Sequence, residues 1–92
     1  MTQTVIVASG TTEATSAQQV VAAGVSATLV IYAATGAVQP DQTAEITYDT
    51  PAGDVCIGYL SSSQPAVQIS GPCTFLVKKQ PSAAACAVLI DT

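Results

Sequence analysis

The residues with the most capacity for chemistry in this chain are three cysteines (Cys56, Cys73 and Cys86), two adjacent lysines (Lys78 and Lys79) and six acids. A thiol becomes a nucleophile when a base or a cation favours its thiolate. The chain has no His and no Arg, so only Lys78 and Lys79 could serve, and no triad can be assembled. Three cysteines cannot all pair within one chain, and their spacings lack the close pairing of a zinc knuckle. Free thiols packed as small apolar residues are the expected state. Asp41, Asp49 and Asp54 lie near turns and could offer oxygens to calcium, but no D-x-D-x-D-G loop is present. Glu45 and Asp49 share the wet face of one strand, with no device that would raise either pKa for glycoside chemistry. We therefore expect no catalytic residue, no metal, no cofactor and no enzyme activity.

The elements that hold these residues are strands. Helical periodicity is nearly absent, and short runs rich in Val, Ile, Thr and Tyr recur between Gly, Pro, Ser and Asp. The clearest run is Thr43 to Asp49, in which Ala44, Ile46 and Tyr48 alternate with Thr43, Glu45, Thr47 and Asp49. Further strands are expected over Thr4 to Ala8, Ser16 to Val21, Ser26 to Ala33, Val55 to Leu60, Ala66 to Ser70, Thr74 to Lys79 and Cys86 to Asp91. Two segments, "EATSAQQVVAAG" and "PSAAACAVLI", hold enough Ala and Gln to tolerate a helix. The flanking Gly turn and the β-branched ending favour the extended reading of both. The fold expected is all-β, a single-domain antiparallel β-sandwich over residues 1–92, Ig-like or jelly-roll-like, of about 7–8 short strands. Residues 1–7 form either its first strand or an N-terminal arm.

The connections carry turn chemistry. Ala22-Ala23-Gly24 permits a positive φ, Thr50-Pro51-Ala52-Gly53-Asp54 bends at Pro and relaxes at Gly, and Ser61 to Pro65 is a polar loop. Such short links predict meander or Greek-key hairpins. The stretch "VQISGPCTFLVKK" reads as one: Val67 and Ile69 before the turn at Ser70-Gly71-Pro72, and Phe75 and Val77 after it, point inward. Lys78 and Lys79 then face opposite ways and form no basic patch. Tyr32, Tyr48, Tyr59 and Phe75 all fall at strand positions that core packing explains.

Composition narrows the partners. Charged residues make up 9% of the chain, against about 25% in an ordinary domain, and the formal net charge is -4. No basic stripe is available for a phosphate backbone, so nucleic acid is not an expected partner. The longest apolar stretch, within Ala27 to Ala34, falls far short of the ~20 residues that span a bilayer, so no membrane partner is expected. The opening MTQTVIV lacks a basic region before its apolar residues, which predicts synthesis in the cytoplasm without a signal peptide. A surface of Thr, Ser, Gln and Ala can be buried against another protein without stripping many ions of water, and suits permanent assembly.

The order of features resembles small virion proteins of tailed bacteriophages, particularly head decoration or cement proteins. The likeness runs through "SGTTEATS", "VVAAGVSATLVIY", "GAVQPDQTAEITYDTPAGD" and "VCIGYLSSSQPAVQISGPCTFLVKK", and is most specific at "QPAVQISGPCTFLV". The chain departs from the family where an Arg is usual in the strand after the turn: here Leu76 and then Lys78 stand. The resemblance implies a β-sandwich that binds the outer face of an assembled capsid, with the major capsid protein as partner, as a homo-oligomer and commonly a trimer, located at the virion surface. Multivalent attachment of many copies would give such a subunit its strength. The interface residues expected are Thr2, Gln3 and Thr4 near the N-terminus, Asp41 and Gln42 in the long loop, and Ser61, Ser62, Ser63 and Gln64. A carbohydrate-binding or adhesion module, or a tail, neck or fibre-base component, is the alternative function.

Overall fold

The computed structural model describes residues 3–92 as nine strands in two antiparallel sheets, a β-sandwich. The strands are β1 (Gln3–Gly10), β2 (Ala14–Thr15), β3 (Gln19–Val21), β4 (Ser26–Ala33), β5 (Ala44–Thr50), β6 (Gly53–Leu60), β7 (Ala66–Ser70), β8 (Cys73–Lys79) and β9 (Cys86–Asp91). Sheet I runs β1-β9-β4-β7; sheet II runs β2-β8-β5-β6, and β3 also pairs with β8. Both segments that tolerate a helix on composition are extended, because their apolar residues are needed in the core: Val21 and Val88 are both buried.

The core is filled from both sheets by alternate residues, as a strand buried on one face requires. Sheet I supplies Val7, Ala27, Leu29, Ile31, Ile69, Val88 and Ile90. Sheet II answers with Val21, Ala44, Ile46, Leu60, Phe75 and Val77. Phe75 is fully buried, as expected; Tyr48 and Tyr59 are exposed, and Tyr32 is only half-buried. The expectation that the aromatic residues form one core set is thus corrected to Phe75 alone.

Of the strand expected over Ser16 to Val21 only Gln19–Val21 forms, and a two-residue strand, Ala14–Thr15, precedes it along the same side of β8. Ala14 faces Lys79, whereas Gln19 faces Phe75, a change of register by one residue. At the break Ser16 replaces a ladder contact with its side chain: its backbone N–H donates to the Val77 carbonyl (2.8 Å), and its Oγ accepts from the Val77 N–H (3.0 Å). A hydroxyl that competes with the backbone ladder in this way is a known interrupter of regular structure.

Among the described residues, one pair of consecutive strands forms a hairpin, β5–β6, with Thr50 opposite Gly53. Gly53 adopts φ +117°, which an L side chain resists, so the Pro-Ala-Gly sequence closes the turn as expected. The hairpin expected around Ser70-Gly71-Pro72 is not one: β7 pairs with β4 in sheet I, whereas β8 pairs with β5, β2 and β3 in sheet II. The turn is an arch that carries the chain from one sheet to the other, and Gly71–Pro72 is a cis peptide. Inward-pointing residues on both sides of a turn fit an arch as well as a hairpin, because each sheet presents one face to the same core.

Candidate functional site

Lys79 and Lys78 part company as strand alternation demands. Lys79 is buried on the inner face of β8, where its ammonium donates to the carbonyls of Gly10 (2.7 Å) and Cys86 (3.1 Å). Lys78 lies on the outer face, 3.9 Å from Glu13, in a solvated ion pair of little energetic weight. The thiols are dispersed as well: Cys56 is exposed on β6, Cys73 half-buried and Cys86 buried. The expectation of three buried thiols is corrected at Cys56, where the register with β5 directs the side chain away from the core. No cavity is found, and no group of three His, Cys, Asp or Glu side chains is gathered among the described residues.

The residues expected at an interface do not form one patch. Gln3 and Thr4 are exposed on β1, opposite Asp91 and Ile90 of β9. Thr2 lies outside the described residues. Ser61 to Gln64 form a loop closed by reciprocal backbone bonds between Ser61 and Gln64 (3.1 and 3.2 Å), with Ser62, Ser63 and Gln64 exposed. That loop leads into β7, at the edge of sheet I opposite β1. Asp41 is exposed, and its Oδ2 accepts from the Ala83 N–H at 2.8 Å. Gln42 is a correction: it is fully buried and unavailable to a partner. Its amide donates to the carbonyls of Ala84 (3.0 Å) and Ala85 (3.3 Å) and accepts from the Gln39 N–H (2.7 Å). A buried amide must have such partners, and here they fasten the loop before β9.

The surface with contact potential lies instead on the β5–β6 hairpin and on the outer face of sheet I. Tyr48, Val55, Ile57 and Tyr59, four of the seven exposed large apolar side chains among the described residues, belong to the hairpin. Its register explains why. Ala44 faces Leu60 and Ile46 faces Gly58, but Thr47 faces Cys56, so Ile57 is an extra residue in a bulge. Beyond the bulge, Tyr48 pairs with Val55 at the end of the hairpin furthest from the buried Ala44–Leu60 pair. The unbroken apolar character of "VCIGYL" was the available signal, since a half-buried strand should alternate. On sheet I, register places Val5, Leu89, Val30 and Ala66 in one row across four strands. Val5 and Ala66 are exposed and the central pair half-buried.

Tyr59 and Cys56 interact on this hairpin. A side-chain hydrogen bond with Cys56, then the charge on that thiol and the Glu45 carboxylate, raise the Tyr59 phenol above its ordinary value of 10.0. Each favours the neutral phenol by bonding to it or by repelling the phenolate.

No protein-family model matches this chain, and no curated protein matches its sequence. Among solved structures, the fold is similar to the crystal structure of the SPBc2 prophage-derived protein YomS, with a TM-score of 0.69 at 9% sequence identity, over 97% of this chain and 88% of that one. What the two share is the β-sandwich itself.

Proposed function

We propose that this protein is a non-enzymatic structural protein of a bacteriophage virion, which binds the outer face of the capsid shell as a decoration subunit and stabilises the head. The observation that carries this reading is its surface. Exposed apolar side chains cluster on one hairpin, and an uncharged apolar row crosses the outer face of sheet I. Such surfaces are covered at low desolvation cost when a protein assembles with others. The fold it shares with a prophage-derived protein supports a phage setting. The role needs a rigid scaffold and no reaction, and three copies over a local three-fold axis would multiply weak contacts with the major capsid protein. Purified protein mixed with shells that lack it should bind saturably and in fixed stoichiometry. Indifference to both mature and expanded shells would remove the proposal.

The exposure of Tyr48 and Tyr59 favours a second reading, a carbohydrate-binding or adhesion module, because sugars stack on exposed aromatic rings. A glycan array that stays blank at high protein concentration counts against it. Copy number per particle separates a shell position, with hundreds of copies, from a tail, neck or fibre-base position with few.

A further inference from the structure

We infer that the open edge of β6 is the seam of a homodimer, in which β6 of a second copy adds antiparallel to the first about a two-fold axis between Ile57 and Gly58. The inference goes beyond the virion reading, since it concerns how the chain pairs with itself. Its premise is the state of the sheet edges. Among the described residues β6 pairs with β5 alone, so its other backbone edge stays open over Gly53–Leu60. Edge strands are ordinarily blunted by brevity, by bulges, by proline or by lysine. The opposite edge of sheet II consists of two fragments of 2 and 3 residues, β1 is interrupted by two register shifts, and β7 has 5 residues. β6 has 8 residues with no proline and no lysine, and the residue in its bulge, Ile57, is exposed and apolar.

Register decides what can fill the edge. Leu60 and Gly58 stand opposite the buried Ala44 and Ile46, so both face into the sandwich, and Tyr59 faces out, opposite Glu45. The extra residue at Ile57 resets the alternation: Cys56 stands opposite Thr47 on the outer face, and Val55 opposite Tyr48 on the inner one. An occupant that covers both Val55 and Tyr59 must therefore be apolar on both of its own faces. β6 is itself such a strand, since Val55 to Leu60 runs Val-Cys-Ile-Gly-Tyr-Leu without a charge. Pairing about the midpoint of Ile57 and Gly58 sets Tyr59 beside the partner's Cys56 on the outer face, and Val55 beside the partner's Leu60 on the inner face. The bulge that breaks the pattern within one copy thus lets like faces meet between two. Charge does not oppose the seam. Glu45 stands one strand back from it, with Lys78 of its own copy on one side and Tyr59 on the other. A seam of this length belongs at the small end of specific interfaces, about 1,200 Å² or less, so the dimer should be reversible.

The test uses the full chain in sedimentation and amide-exchange measurements. Self-association should rise with concentration, and the amides of residues 53–60 should gain protection as the dimer forms. Ile57→Lys and Ile57→Glu each place like charges diagonally across the two-fold, and each should weaken dimerisation about tenfold. An equimolar mixture of the two should dimerise again, which unfolded variants could not do. Register is read by mixing wild type with a chain that carries both Tyr59→Cys and Cys56→Ser, under diamide as the oxidant. The new thiol should link to Cys56 of the wild-type chain, while neither chain links to its own kind, because those thiols are offset along the strands beyond disulfide reach. A protein that stays monomeric at every concentration overturns the inference. So do association that protects another strand, charge variants whose mixture does not recover, and wild-type chains that link to each other in place of the mixed pair. A monomer whose residues 53–60 gain protection only when capsid shells are added gives the edge to the shell, which also overturns the inference while supporting the decoration reading.

Discussion

The ammonium of Lys79 on β8 reaches across the sandwich to the carbonyl of Gly10 at the end of β1, 2.7 Å away. Gly10 is the register partner of Cys86 on β9, and the same ammonium also holds the Cys86 carbonyl at 3.1 Å. One side chain of sheet II thus ties together the last pair of sheet I. A buried cation is costly unless its donors are used, and two carbonyls here replace the water it gives up. A Cβ at Gly10 would lie 3.6 Å from the ammonium, an ordinary contact, so the bond to its carbonyl does not depend on glycine there.

Lys79→Met keeps the apolar stem but abandons both carbonyls. Losing charge-assisted bonds to buried acceptors should lower stability by about 2–3 kcal/mol, read as a lower urea midpoint with an unchanged slope. Lys78→Met, on the solvated outer face, should change stability by less than about 0.5 kcal/mol. Equal effects of the two substitutions would contradict the division of roles between these neighbours.

Much of this division was legible in the sequence, and its limits have physical causes. Alternation separates Lys78 from Lys79 and locates Phe75 and Val77 in the core, because those consequences depend only on the period of a strand. Which sheet a strand joins depends on pairings between distant segments, so the Ser70-Gly71-Pro72 arch resembles a hairpin when read locally. Gln42 sits in a loop of polar residues, and nothing nearby shows that its amide is needed by Ala84 and Ala85, more than forty positions away. Tyr59 faces Glu45 on the outer side of the sheet, one place from the buried Leu60, and Tyr48 stands opposite Val55 beyond the bulge at Ile57; both placements depend on the pairing of β5 with β6.

Gly71 should be the least replaceable glycine. A Cβ added there would overlap the carbonyl oxygen of Ala22 and lie 2.7 Å from that of Val21, both of them backbone atoms that cannot rotate away. The Gly71 N–H also donates to Val25 at 2.8 Å, which holds the arch against the turn after β3. Gly71→Ala should cost on the order of 3 kcal/mol and lower the melting temperature by about 15 °C. Gly36→Ala is the comparison, since its strain comes from a positive φ in open space and should cost only about 1 kcal/mol. A Gly71→Ala protein that melts with the wild type would show that the two turns do not pack as described.

Thiol labelling should resolve the three cysteines by depth. Cys56 is exposed, Cys73 half-buried and Cys86 fully buried. In native protein a thiol reagent should modify Cys56 first, and Cys86 should stay protected until global unfolding. The measurement is mass spectrometry of labelled peptides over time, with a denatured control. Prompt native labelling of Cys86 would contradict its place between the sheets.

Tyr59 should titrate later than an ordinary tyrosine, because of its neighbour Cys56. The phenol is raised first by its hydrogen bond to Cys56, then by the charge on that thiol and on Glu45. A folded-state pKa above the unfolded one means that folded protein holds the proton more tightly. The associated stability is therefore present below about pH 10, the unfolded phenol value, and is lost as pH rises through the higher folded value. Phenolate absorbance should show one tyrosine titrating late, and Tyr59→Phe should remove that component. Cys56→Ser keeps a hydrogen-bonding side chain but cannot form a thiolate, so it should bring the late component part of the way back towards 10.0. Cys56→Ala removes both influences and should bring it further. A titration curve that both Cys56 variants leave unchanged would show that the pair does not interact.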